Sequence, residues 1–119
     1  MRPHAARWIA DILRNAERAR AFVGALASDE LARDEVRLYG ALHALTLIGE
    51  VAKRVPPEVR VRFTDVPWKA MAGLRDVIVH QYDELDIDAI HRTATHDAER
   101  LIERLPAILA ALGGRQDGP

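Results

Sequence analysis

The sequence contains no cysteine, few aromatic residues and no long apolar run. Because cysteine is absent, disulfides, thiolate metal sites and a cysteine nucleophile are all excluded. Aromatic residues make up 5% of the chain, and they are too dispersed to form a base-stacking platform. No apolar stretch approaches the ~20 residues that cross a bilayer, and no secretory leader pattern is visible. We therefore expect a cytoplasmic protein with no membrane association.

Charge is nearly balanced, with 17 lysines and arginines against 18 acidic residues and a formal net charge of −1. This balance provides no overall field that would attract nucleic acid. Only Lys53 and Lys69 are lysines, and arginine is better suited than lysine to bidentate contacts with phosphate or carboxylate. Net charge therefore does not decide the partner, and the local placement of charges must.

Apolar residues recur at steps of three and four along most of the chain, which is the spacing of one helix face. The pattern predicts long helices over about 3–27, 34–55, 67–79 and 86–112. No segment alternates with a period of two, so no sheet is expected. The sequence thus predicts an all-α, four- to five-helix up-and-down bundle. We expect one domain over residues 1–112 and a flexible tail over 113–119.

Three local signals refine this prediction. Asp86 or Asp88 is expected to cap the last helix, and Ser28 or Asp29 to cap a short helical stretch. Gly49 lies inside the second long helix, where glycine costs ~1 kcal/mol relative to alanine. A glycine at such a position predicts the close approach of another helix.

Functional side chains concentrate between Arg75 and Tyr82, in the order Arg-Asp-Val-Ile-Val-His-Gln-Tyr. On a continuous helix, Asp76 and His80 share one stripe, so the carboxylate can reach the imidazole. Arg75 and His80 would then lie about 140° apart. They could serve one site only if the helix ends early or if a second copy of the chain completes the site.

These residue types suit cleavage of an RNA phosphodiester through the ribose 2′-hydroxyl. Histidine exchanges protons near neutral pH, and arginine can hold the phosphate as charge develops. Asp76 could orient the imidazole, and the chemistry requires no metal. Judged on residue types alone, however, an interhelical arginine and a capping histidine are the more common interpretation.

The exact spacing resembles a known signature. The order is arginine, four residues, histidine, one residue and tyrosine. This order is similar to the motif of HEPN-domain ribonucleases, specifically the HepT-like toxins encoded beside a minimal nucleotidyltransferase antitoxin. Residues 48–54 resemble the Ile-Gly-Glu-containing second helix of that family. Pro67-Trp68 followed by Gly73-Leu74-Arg75-Asp76 is similar to its approach to the catalytic helix. The resemblance covers nearly the whole chain.

Three positions depart from the family pattern. Asp76 stands where asparagine is common, which keeps a hydrogen-bonding group but adds negative charge. Val51 replaces an alanine of the second helix, which is a conservative packing change. Asp83 and Glu84 add further acid directly after the motif. None of these departures removes a motif residue.

The resemblance implies a homodimeric, metal-independent endoribonuclease that is the toxin of a toxin–antitoxin pair. Arg75 and His80 would be the catalytic pair at a two-fold interface, with Asp76 orienting them. Tyr82 would be the position where the nucleotidyltransferase attaches AMP, whose bulk and charge would keep RNA out. RNA is then the substrate, and no cofactor or metal is expected.

A second class of function stays open, namely a non-catalytic helical module that binds a nucleotidyltransferase. The acidic residues after Tyr82 and the net charge of −1 favour this alternative, whereas the intact Arg75, His80 and Tyr82 favour the ribonuclease.

A basic cluster around the second connection consists of Arg54, Arg60, Arg62 and Lys69. These residues are interpreted either as a solvated basic rim or as a guide for the RNA backbone.

Overall fold

The computed structural model describes residues 4–81 and 84–113, except the side chains of His4, Val77 and 79–81. Eight α-helices, one π-helical turn and two short strands occupy this part of the chain. The helices are α1 (His4–Val23), α2 (Ser28–Ala32), α3 (Glu35–Ala52), α4 (Pro57–Arg62), α5 (Trp68–Ala72), α6 (Leu74–Ile78), α7 (Ile87–Arg92) and α8 (Ala98–Ala111). The strands are β1 (Val79–Gln81) and β2 (Glu84–Leu85), and the π-helical turn spans Thr93–Asp97.

The all-α bundle predicted from the apolar spacing is confirmed. Helix α1 packs against both α3 and α8, and their facing stripes fill the core because apolar side chains three and four residues apart share one helix face. The largest fully buried side chains include Ile9, Ile12, Leu45, Ile48, Leu105 and Ile108. No helix in the described part of the chain is both long and apolar enough to cross a membrane.

The cap predicted at Asp86 forms, and Asp34, which was not predicted as a cap, caps α3 in the same way. The Asp34 and Asp86 carboxylates each accept a hydrogen bond from the backbone N–H three residues later, at 3.1 and 3.0 Å, and so satisfy otherwise unpaired donors of α3 and α7. The prediction that Ser28 or Asp29 caps a helix is wrong, because both residues already lie inside α2, which begins after Ala27. The Ser28 hydroxyl donates to Asp88 instead. This bond ties α2 to α7 instead of capping a helix.

The third predicted helix is interrupted once and ends about where the sequence predicts. Gly73 separates α5 from α6, and α6 ends at Ile78, where the chain becomes a strand. β1 and β2 form an antiparallel ladder, and the backbone N–H of Asp86 donates to the Ile78 carbonyl at 2.9 Å. The expectation of no sheet therefore needs one local correction: five residues form a hairpin too short to show a period of two in the sequence.

Gly49 allows the close approach that its position in α3 predicts. A methyl group at Gly49 would lie 3.1 Å from the carbonyl oxygen of Met71 and 3.8 Å from the Cβ of Leu74. Glycine thus lets the α5–α6 segment rest directly on α3. Because Arg75 directly follows Leu74, this contact also fixes the position of Arg75 relative to the core.

We predict that Gly49→Ala and Gly40→Ala have different effects on stability. Either change gains about 1 kcal/mol of helix propensity. At Gly49 that gain is offset by overpacking, which costs about 1–3 kcal/mol, because the crowded atom is a backbone carbonyl. At Gly40 the crowded group is the Phe22 ring, which lies within 2.4–2.6 Å of the added methyl but is 38% exposed and can rotate outwards.

Urea denaturation of both variants measures this difference. We expect Gly40→Ala to match or exceed the unfolding free energy of the wild type, and Gly49→Ala to fall below Gly40→Ala. A Gly49→Ala chain as stable as the Gly40→Ala chain would show that the α3–α5 contact is looser than described.

Candidate active site

Arg75 and Asp76 stand on the outer face of a short helix that buried neighbours hold in place. Leu74 and Ile78 of α6 are buried, and the Trp68 indole N–H at the start of α5 donates to the Phe63 carbonyl at 2.8 Å. Arg75 and Asp76 themselves are exposed. Among the described residues, neither forms an ion pair, and an exposed guanidinium is suited to binding an anionic ligand.

His80 lies in β1 and not on a helix. Val79 pairs with Leu85 and Gln81 with Glu84, and the register of the ladder shifts between Val79 and Gln81, where His80 lies. Such irregularities are over-represented beside active sites, because they re-aim a side chain.

The early end of α6 changes two of the sequence arguments. One of the two conditions for Arg75 and His80 to share a site, a helix that ends early, is met. The helical argument for a contact between Asp76 and His80 is wrong, because His80 is not helical and the two residues are not one turn apart. Tyr82, the proposed position of AMP, lies outside the described residues.

A cavity of about 450 Å³ opens beside this segment, between α3, α5–α6, the π-helical turn and α8. We call it the α3–α8 cavity. Its walls are mostly apolar, and one of them is Leu74, the residue before Arg75. The apolar lining consists of Leu45, Ile48, Val66, Pro67, Ala70, Met71, Leu74, Ala98 and Leu101.

Five polar side chains also line the α3–α8 cavity: Asp65, Thr93, Asp97, Arg100 and Arg104. Arg104 donates to both carboxylate oxygens of Asp65, at 2.6 and 3.2 Å, and this hydrogen bonding lowers the pKa of Asp65. The pair is therefore ionised at neutral pH. Sequence reasoning missed this cavity, because 39 residues separate Asp65 from Arg104 and no local spacing links them.

The basic cluster predicted around the second connection divides into two kinds of contact. The guanidinium of Arg54 lies 5.7 Å from the centre of the Trp8 ring, and that of Arg62 lies 5.0 Å from the ring of the next residue. Arg60 and Lys69 instead line one open groove. Of the four, Arg60 and Lys69 therefore share a groove that could follow a phosphate backbone.

The described histidines have structural or solvent-exposed positions. The Nε2 atom of His91 lies 2.8 Å from the carbonyl oxygen of Leu26 and ties α7 to the connection after α1. His43 and His96 are exposed. Within the described residues, no three histidine, aspartate or glutamate side chains are grouped as metal ligands would be.

Comparison with known proteins identifies a family for the whole bundle. Residues 12–108 match the family model described as "Ribonuclease HepT-like". A protein named "Probable ribonuclease HepT" from Thermococcus cleftensis is 26% identical over 94 residues, covering 79% of this chain and 86% of that protein. A protein named "Putative RNase" from Caldanaerobacter subterraneus subsp. tengcongensis is 30% identical, covering 73% of this chain and 78% of that protein. Another protein named "Putative RNase", from Methanocaldococcus jannaschii, is 26% identical, covering 75% of this chain and 74% of that protein. No solved structure matches the chain.

Proposed function

This chain belongs to the HepT-like ribonuclease family, and we propose that it is a metal-independent endoribonuclease, the toxin of a toxin–antitoxin pair. One observation carries the proposal. Arg75, exposed and without an ion pair among the described residues, stands on α6 immediately before the strand that carries His80. The arginine and the histidine occupy the spacing of the ribonuclease motif, inside the segment that matches the family.

The chemistry needs only these two kinds of side chain. The imidazole of His80 takes the proton of the ribose 2′-hydroxyl, whose oxygen attacks the adjacent phosphorus. The bond from phosphorus to the 5′-oxygen of the next nucleotide breaks, and that oxygen receives the proton from the imidazolium. Arg75 stabilises the negative charge that develops on the phosphoryl oxygens. The product is a 2′,3′-cyclic phosphate on one fragment and a 5′-hydroxyl on the other.

Asp76 is exposed on α6 directly after Arg75, so any part that it has in cleavage would come from hydrogen bonding and not from its charge. We therefore expect Asp76→Asn to keep cleavage and to strengthen RNA binding at low salt, because it removes a negative charge beside the phosphate path. The gain should disappear at 0.5 M salt, where exposed charges are screened. Cleavage assays with RNA titrated at the two salt concentrations measure this; loss of cleavage in Asp76→Asn would assign a role to the charge.

A homodimer is part of the proposal, and one surface supports it. Val36 and Tyr39 at the start of α3 are 77% and 57% exposed, and Phe22 of α1 lies beside them over Gly40. We call Phe22, Val36 and Tyr39 the apolar patch. Contiguous apolar surface with aromatic residues is typical of protein interfaces, so we propose that a second copy covers it.

Val36→Arg should weaken dimerisation, because a charge would be buried in the apolar patch. Val61 offers a matched control, since it is a valine of 74% exposure on α4, outside the patch. Sedimentation velocity over a concentration series should show more monomer for Val36→Arg and no change for Val61→Arg. Equal behaviour of the two variants would place the dimer interface elsewhere.

Control by a nucleotidyltransferase completes the proposed function. The phenol oxygen of Tyr82 would displace pyrophosphate from ATP and become bonded to AMP, with loss of the phenolic proton. The added phosphate is negatively charged and would repel the RNA backbone. The family pattern of Arg75, His80 and Tyr82 supports this step.

Cleavage of total cellular RNA by the purified chain in excess EDTA tests the proposal. Intact mass is measured first, because a chain that already carries AMP on Tyr82 would be inactive for a different reason. Cleavage in EDTA by the unmodified chain is the expected result. No cleavage by the unmodified chain would favour the alternative, a non-catalytic module that binds a nucleotidyltransferase.

A further inference from the structure

The α3–α8 cavity combines the size of a ligand site with several polar groups in its wall. Its volume of about 450 Å³ lies in the range of ligand pockets, which are mostly apolar with a few polar groups that fix orientation. Arg104 and Asp65 bind each other. Among the described residues, Asp97 and Arg100 form no ion pair.

Thr93 adds a hydroxyl to the polar part of the cavity wall. It is 7% exposed and lines the cavity. The hydroxyls of Thr46 and Thr95 donate to the carbonyl four residues earlier, at 2.8 Å each, but no such bond forms at Thr93 within the described residues. Among the described residues, the one buried side-chain polar atom without a partner is the amide oxygen of Asn15, so the Thr93 hydroxyl is open to the cavity and can bind a ligand or water there.

The backbone also departs from regular geometry at this cavity. Thr93 and Asp97 are the first and last residues of the π-helical turn, and both line the cavity. Short π-helical segments are frequent at functional sites. Here the wider turn lies between the two polar residues and brings both to the same opening.

We propose that the α3–α8 cavity binds a guanine base of the RNA substrate. This inference rests on the proposed ribonuclease function and adds a base preference to it. An unstacked base is flat and apolar on its faces, so the leucine, isoleucine and methionine walls suit it. Single-stranded RNA is commonly recognised through such splayed bases.

The polar groups favour guanine over the other bases. Guanine offers two adjacent N–H donors, N1–H and the 2-amino group, to the two oxygens of one carboxylate, and Asp97 supplies that carboxylate. Arginine pairs with the O6 and N7 acceptors of guanine, and Arg100 supplies the guanidinium three residues later. Adenine and the pyrimidines cannot offer two such donors together with those acceptors.

The position of the cavity relates this base to the cut. Leu74 forms part of the wall, and Arg75 follows it on the same helix but is exposed. A base in the cavity would therefore place its own or a neighbouring phosphate near the Arg75 guanidinium. Cleavage beside guanine follows from this arrangement.

Nucleotide binding to the His80→Ala chain tests the cavity without requiring catalysis. Guanosine, inosine and cytidine 5′-monophosphates are titrated separately, and the methyl NMR signals of Leu45, Ile48 and Leu101 are followed. We expect guanosine monophosphate to shift these signals. Inosine monophosphate lacks the 2-amino group and should bind about tenfold more weakly, as should cytidine monophosphate, because a bidentate pair discriminates by about that factor or more.

Asp97→Asn in the same background should bind guanosine monophosphate about tenfold more weakly and should no longer distinguish it from inosine monophosphate. Asp29→Asn is the matched control, because Asp29 is exposed on α2 and does not line the cavity. It should behave like its His80→Ala parent.

The proposal would be overturned if no nucleotide shifted the methyl signals, or if the three nucleotides bound equally well. It would also be overturned if the methyl signals shifted with the concentration of the chain and not with that of the nucleotide, because a second copy would then cover the cavity. None of these results bears on whether the active chain cleaves RNA in EDTA, so failure of this proposal is distinguishable from failure of the ribonuclease proposal.

Discussion

His80→Ala is expected to lower RNA cleavage by roughly 10²–10⁴-fold, the usual contribution of a general acid–base group. The fold should persist, because His80 lies in a three-residue strand whose hairpin is closed by the backbone bond between Asp86 and Ile78. The core under this segment is formed by Leu74 and Ile78, which the substitution leaves in place. Single-turnover cleavage and thermal unfolding of the same sample measure both effects.

His43→Ala provides the matched control for that experiment. His43 is an exposed histidine on α3, so its loss should change neither cleavage nor unfolding. If His80→Ala unfolds the chain, the residue is structural and the assignment fails. If His80→Ala cleaves RNA as fast as the wild type, the proton-transfer group lies elsewhere.

Arg75→Ala should reduce the rate of cleavage by about 10²–10³-fold, as the loss of one group that stabilises transition-state charge does. Arg75→Lys should recover only part of that loss. Lysine keeps the positive charge, but it lacks the planar pair of donors that matches two phosphoryl oxygens. Because Arg75 is exposed and unpaired among the described residues, neither variant should lower the unfolding temperature.

Arg33→Ala is the control for Arg75, since the Arg33 side chain is 72% exposed and its contact to Asp29 is 3.8 Å long. It removes the same charge from the chain at a distant helix. A general weakening of RNA binding would affect both variants, whereas a catalytic role for Arg75 affects the rate at saturating RNA in that variant alone. Equal effects of the two variants would contradict the role proposed for Arg75.

The helical part of the fold could be predicted, because its cause is local. Apolar spacing located the long helices and the side chains that they bury, and Asp86 marked the start of α7. Gly49 indicated that another helix approaches α3 closely, and the α5–α6 segment does so. Each of these features depends on residues that are close in sequence.

The active-site segment was harder to predict, because tertiary contacts override its local preference. The helical pattern over 67–79 does not show the break at Gly73 or the strand that follows Ile78 and pairs with Glu84 and Leu85. The end of the helix at Ile78 removes the helical contact expected between Asp76 and His80. The α3–α8 cavity was not predictable either, since its walls come from four separate parts of the chain.

Cleavage of one oligonucleotide in two chemical forms tests the central claim most directly. Unmodified RNA and its fully 2′-O-methylated counterpart are incubated with the unmodified chain in excess EDTA, and the product ends are analysed. We predict that only the RNA is cut and that it carries 2′,3′-cyclic phosphate ends, because the nucleophile is the ribose 2′-hydroxyl. Cleavage of the methylated strand, or a requirement for added metal, would contradict the account.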